Sequence, residues 1–135
     1  MEIETLESEL YTWLVDNANI ESNSFFMSKM PDTKNVSNGY WLIYLGGDIE
    51  QQNPVHSKTY LHTFTLNYRN TKSELVDKEI TRLTRLINST SCMTLPDYEI
   101  VWFRAQAFNS NEGSDNENYY QGSVSIQLRE LFRYD

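Results

Sequence analysis

Cysteine is almost absent from this chain: Cys92 stands alone among 135 residues. One thiol forms no internal disulfide and builds no cysteine metal site. Glycine (five) and proline (three) are scarce, which excludes collagen-like and low-complexity classes. No apolar run approaches the roughly 20 residues that a helix needs to span a bilayer. Basic residues are outnumbered, with eleven Lys and Arg against nineteen Asp and Glu and a formal net charge of −8. A compact domain of that sign repels phosphate backbones, so ordinary DNA or RNA binding is disfavoured. The opening Met-Glu-Ile-Glu-Thr lacks the basic start and apolar core of a secretory signal. Synthesis in a cytoplasm is therefore expected, and the sequons at Asn35 and Asn88 read as chance matches.

What is present is bulk and periodicity. Aromatics make up 13%, with nine Tyr and three Trp, enough for a packed interior or an interface in one domain spanning 1–135. Ile3, Leu6, Leu10, Trp13 and Leu14 recur at helical spacing, with acids between them that favour the positive end of a helix dipole. That helix is expected to end near Asn19. Residues 21–39 are mostly polar around one apolar cluster, Phe25, Phe26, Met27 and Met30, and read as a long mobile loop whose aromatic patch docks on the body or on a neighbour. Tyr40 to Leu45 is a short apolar run rich in β-formers, so a buried strand is expected, ended or bulged by Gly46-Gly47. From Tyr60 to Tyr68 aromatic and largely polar positions alternate. Thr71-Lys-Ser-Glu74 reads as a capping box opening a helix to about Asn88, with Val76, Ile80, Leu83 and Ile87 on one face. Strands are expected again at 98–107 and 119–130, the second with Gly122, Val124, Ile126 and Leu128 in one row. Between them, 109–118 has no apolar residue and reads as a solvated, mobile loop.

Alternation with one polar face implies an antiparallel sheet covered on one side only. The expected fold is therefore α+β, in the order α-β-β-α-β-β: a mostly antiparallel four-stranded sheet with two helices on one face. Its other face, with Thr63, Thr65, Ser123 and Ser125, is left to water or a partner.

Residues able to do chemistry do not converge. His62 lies on the aromatic face of its strand, which favours a satisfied structural histidine, and His56 sits in a polar turn. Gly-x-Ser-x-Gly is absent. Asp48 and Glu50 share a strand face, but loop acids are ordinarily solvated. The run from Asn109 to Glu117 fails the EF-hand spacing, and Gly46-Gly47 is followed by no lysine or helix N-terminus that would hold a phosphate. Arg82 and Arg85 are read as a solvated helix face opposite the apolar stripe. No enzyme activity, cofactor or metal is expected.

With these elements in place, the chain resembles the tail-terminator and tail-completion (minor capsid, head–tail joining) proteins of long-tailed bacteriophages. The likeness lies in the opening helix Leu6-x3-Leu10-x2-Trp13-Leu14, the strands at 40–45 and 59–68, the junction Tyr68-Arg-Asn-Thr-Lys-Ser-Glu74 into the central helix, and the hairpin that follows. It implies a structural virion protein, assembled in the host cytoplasm, that forms a hexameric ring at the head-proximal end of the tail. Its partners would be further copies of itself, the tail tube protein and the head–tail connector protein, with DNA passing through without specific binding and no membrane involved. In such a ring Asp48, Glu50, Glu112, Asp115 and Glu117, with Phe25 and Phe26, are candidates for lumen or interface positions. Readings from other classes remain: a monomeric acidic phage-encoded binder or regulator (a DNA mimic or inhibitor), and a head-side connector subunit.

Overall fold

The computed structural model describes residues 5–27, 38–53, 57–114 and 119–133. The first helix, α1, spans Leu6–Asn17. Thr5 caps it, its hydroxyl accepting from the Ser8 amide at 3.2 Å, while Glu7 and Glu9 occupy the first turn. The helix stops where Asn19 enters the left-handed region at φ 57°, a common helix end for Asn. Leu6, Leu10, Trp13 and Leu14 form its buried face.

After a single 3-10 turn come β1 (Phe25–Met27), β2 (Gly39–Asn53) and β3 (Ser57–Asn70). The second helix, α2, spans Ser73–Ser89, followed by β4 (Ile100–Ser114) and β5 (Tyr119–Arg133). These strands form one five-stranded sheet in the order β1-β2-β3-β5-β4. All neighbours are antiparallel except β1, which runs parallel to β2.

The expected four-stranded sheet is therefore corrected to five strands. The extra strand lies inside the stretch read as loop, where Phe25, Phe26 and Met27 pair with Tyr40, Trp41 and Leu42. Three residues are too few to display a period of two, so only the partner strand reveals this one. Residues 28–37 lie outside the described residues. The second hairpin is also longer than expected. Glu112, Gly113 and Ser114 pair with Gln121, Tyr120 and Tyr119, because a ladder needs backbone partners and not apolar side chains. The capping box is corrected too: Lys72 takes the N-cap position with no side-chain bond. The turn out of β3 is held instead by Asn70, whose Oδ1 accepts from the Lys72 amide at 3.1 Å.

Both helices share one core with the sheet. Val76, Ile80, Leu83 and Ile87 of α2 and Leu10 and Leu14 of α1 cluster with Leu42, Phe64, Leu66, Val124, Ile126 and Leu128. The helix lies almost on the backbone of β5: a Cβ on Gly122 would stand 2.6 Å from Ile80 Cγ1. On the opposite face Thr63, Thr65, Ser125 and Gln127 are half-buried. Asn67 and Ser123 are buried there and satisfy each other, the Ser123 hydroxyl donating to Asn67 Oδ1 at 2.7 Å.

Candidate functional site

Three polar clusters stand out. The first lies at the sheet end nearest the β2–β3 connection. The Tyr44 hydroxyl is 2.7 Å from His62 Nδ1, and His62 Nε2 is 2.8 Å from Glu130 Oε1. A carboxylate only accepts, so Nε2 carries a hydrogen; in the neutral ring Nδ1 then accepts from the tyrosine. His62 and Glu130 are both buried. Burial, helped by the nearby Glu130 carboxylate, pushes the Tyr44 hydroxyl above its ordinary pKa. With both ring nitrogens used inside the cluster, His62 is a satisfied structural histidine and has no nitrogen to offer a metal or substrate.

The neighbouring glycines shape this cluster. Gly46 sits at φ 111° in the bulge after Tyr44, a backbone conformation that side chains resist. Gly47 faces His62, and a Cβ there would lie 2.5 Å from Nδ1 and 2.9 Å from the Tyr44 hydroxyl. The Gly47→Ala variant is expected to lose about 1 kcal/mol, the low end for overpacking because side-chain ends yield more readily than backbone. Urea unfolding checks this, and an unchanged midpoint would contradict the close approach.

The second cluster ties the two helices to the sheet. Arg82 grips Glu79 with two bonds of 2.6 Å, from Nε and Nη2. Its Nη1 donates to the Ala18 carbonyl at the end of α1 at 2.8 Å, and the Tyr40 hydroxyl of β2 donates to the same Glu79 carboxylate. Arg82 is thus half-buried, which corrects its expected place on a solvated face; Arg85 is exposed as expected. Burial alone would raise the Glu79 pKa, but hydrogen bonds from Arg82 and Tyr40, with the arginine charge, outweigh it and hold the carboxyl below its ordinary 4.5. Burial, then the bond to Glu79, pushes Tyr40 well up.

A depressed carboxyl stabilises the fold fully above its unfolded pKa and loses that contribution as pH falls through the folded one. Glu79→Gln should therefore cost stability at pH 7, and the gap from the unsubstituted chain should close as the pH drops below about 4.5. Thermal melts across pH 3–7 (an approximate range chosen to span that titration) would contradict this if the gap stayed constant.

The third cluster is on the open sheet face, where Trp102 lies under the guanidinium of Arg129 (4.2 Å to the ring centroid) and near that of Arg104 (5.8 Å). Asp48, exposed, pairs across to Leu61 and so shares this face. Glu50 follows in β2. Glu112 falls in β4 at the other end of the sheet, paired with Gln121, while Asp115, Glu117 and His56 lie outside the described residues. Asp48 and Glu112 sit level with Leu61 and Arg69 of β3, which separates them by about 27 Å at strand rise. Phe25 docks on the body: it is 2% exposed and stacks on Tyr11 at 4.2 Å. Phe26 is half-buried. Among the described residues no three His, Cys, Asp or Glu are placed to hold a metal. No described helix is long and apolar enough to cross a membrane.

No family model matches this chain, and no curated protein matches it. Its fold is similar to that of a chain in the solved virion of a native gene transfer agent (GTA) particle. The two are 13% identical, with a TM-score of 0.58 covering 93% of this chain and 94% of that one. At that identity the likeness establishes the shared fold.

Proposed function

We propose that this chain is a structural virion protein without enzymatic activity, a tail-terminator or tail-completion subunit. It forms a hexameric ring that ends the tail tube and joins it to the head connector. The observation that carries the reading is the fold likeness to a chain of a GTA virion, which covers nearly the whole of both chains. The resemblance in Leu6-x3-Leu10-x2-Trp13-Leu14 and in the strand-to-helix junction at Tyr68 to Glu74 supports it from the sequence. In this reading Asp48, Glu50, Glu112, Asp115 and Glu117 face the ring lumen or a neighbour. Their charge lets DNA slide past without being retained.

Deleting the gene from the phage that carries it is expected to leave tails of uncontrolled length or tails unattached to heads. Normal-length tails joined to full heads would overturn the assignment in favour of an acidic binder.

A further inference from the structure

The two outer strands of the sheet are treated differently from its centre. β1 covers β2 only at Tyr40–Leu42, so among the described residues nothing pairs with the outer side of Ile43–Asn53. The far edge is β4, which pairs only with β5. It is closed at one point, where Asn88 of α2 imitates a neighbouring strand: its Nδ2 donates to the Ala105 carbonyl at 2.8 Å, and its Oδ1 accepts from the Ala105 amide at 2.9 Å.

Open edges invite pairing with another chain, and proteins that avoid it place Lys or Pro there. The free stretches here, residues 43–53 and 100–114, contain neither. They carry exposed apolar side chains instead: Leu45 is 61% and Ile49 53% exposed on β2, and Val101 is 54% and Phe108 51% exposed on β4. Of the inner strands, β3 exposes no large apolar side chain, and β5 exposes Tyr120 and Phe132 only near its two ends. The register breaks also fall on these two strands, at Tyr44/Gly46 and Ile49/Gln51 on β2 and at Ile100/Trp102 and Phe108/Glu112 on β4, and the β3–β5 ladder has none. Bulges add twist and bend a strand, so the two margins of the sheet are bent where its centre is regular.

Charge selects the partner. The free part of β2, Ile43–Asn53, holds two acids, Asp48 and Glu50, and no base, whereas β4, Ile100–Ser114, sets one base, Arg104, against one acid, Glu112, so the β2 edge meets less repulsion from a β4 edge than from a second β2.

We infer that this chain binds a second copy of itself by strand addition, β4 of one copy joining the free part of β2 of the next. The inference rests on the ring reading and supplies its subunit contact. Strand directions alternate from β2 through β3 and β5 to β4, so a copy related by rotation about the strand direction presents its β2 antiparallel to β4. The contact is head-to-tail, and once the rotation closes only the three residues of β1 remain as an outer strand among the described residues. Its backbone hydrogen bonds are those of strand-addition recognition.

The test uses the full chain. Mass photometry and light scattering over a concentration series give the association state. Hydrogen exchange of peptides covering 43–53 and 100–114 is then compared between single and associated copies. Exchange at least ten-fold slower in both segments, with α2 peptides unchanged, is expected on association. The variant Leu45→Lys/Ile49→Lys alters side chains already exposed in the single copy. It should weaken association at least ten-fold while leaving the melting temperature of the unassociated chain unchanged. Association with no slowing at either edge, or unaffected by the double lysine variant, overturns the edge contact and leaves the ring reading standing. No association at any concentration overturns both.

Discussion

Truncating Phe64 to alanine is expected to cost about 3–5 kcal/mol, a large part of the roughly 5–15 kcal/mol that holds a domain folded. Phe64 is fully buried in the middle strand, paired with Tyr44 on one side and Ile126 on the other. Its ring lies 4.8 Å from that of Tyr44, so the change removes an aromatic contact as well as apolar area. It sits in the cluster that joins α1, α2 and the sheet, and every wall of the resulting cavity is an element fixed by other contacts. Relaxation into the gap is therefore limited, which places the cost toward the upper part of the range. Leu83→Ala on α2, also fully buried, is expected to cost about 2–5 kcal/mol by the same reasoning. Chemical unfolding of both variants decides the point. Losses under about half a kcal/mol, typical of surface changes, would show that the helix–sheet interface is misplaced.

The row that contains Phe64 was legible because it repeats. Tyr60 to Tyr68 and Gly122 to Leu128 alternate over enough residues to fix which side faces the helices, and Val76, Ile80, Leu83 and Ile87 do the same for α2. β1 was not legible, since Phe25–Met27 owes its strand geometry to Tyr40–Leu42 rather than to its own pattern. Nor was the extent of β4, whose last residues are polar and are held by the facing backbone of β5. Thr71 and Glu74 have the residue types of a capping box, but the chain leaves β3 through Asn70, whose amide bonds the Tyr68 hydroxyl at 2.6 Å. That local pair of Asn70 bonds, to Tyr68 and to the Lys72 amide, takes the place of the capping box. At the polar clusters, the structural role of His62 was readable from its place among aromatics. Its partner was missed, although Glu130 continues the row Gly122, Val124, Ile126, Leu128 and an acid in phase with a buried row needs a partner. Arg82 was missed although Glu79 stands three residues before it on the same helix; its carbonyl partner, Ala18, comes within reach only when α2 docks on the end of α1.

Replacing Glu130 with leucine is expected to cost about 3 kcal/mol, the upper part of the range for a buried donor left without its acceptor. Among the described residues His62 Nε2 bonds only Glu130 Oε1. At 9% exposure the ring receives little help from water. Glu130→Gln keeps a side-chain acceptor of the same length and should retain most of the stability, so the pair separates loss of the hydrogen bond from loss of packing. Adding His62→Leu to Glu130→Leu removes the stranded donor and should recover part of the loss, because an apolar pair of similar volume replaces a polar one without leaving an unmet group. A double-mutant cycle measured by urea unfolding reads this coupling directly. If the two leucine changes simply add, the Tyr44–His62–Glu130 chain contributes packing alone. A positive recovery would establish that the cluster is held by its hydrogen bonds, and that Gly47 is there to leave room for them.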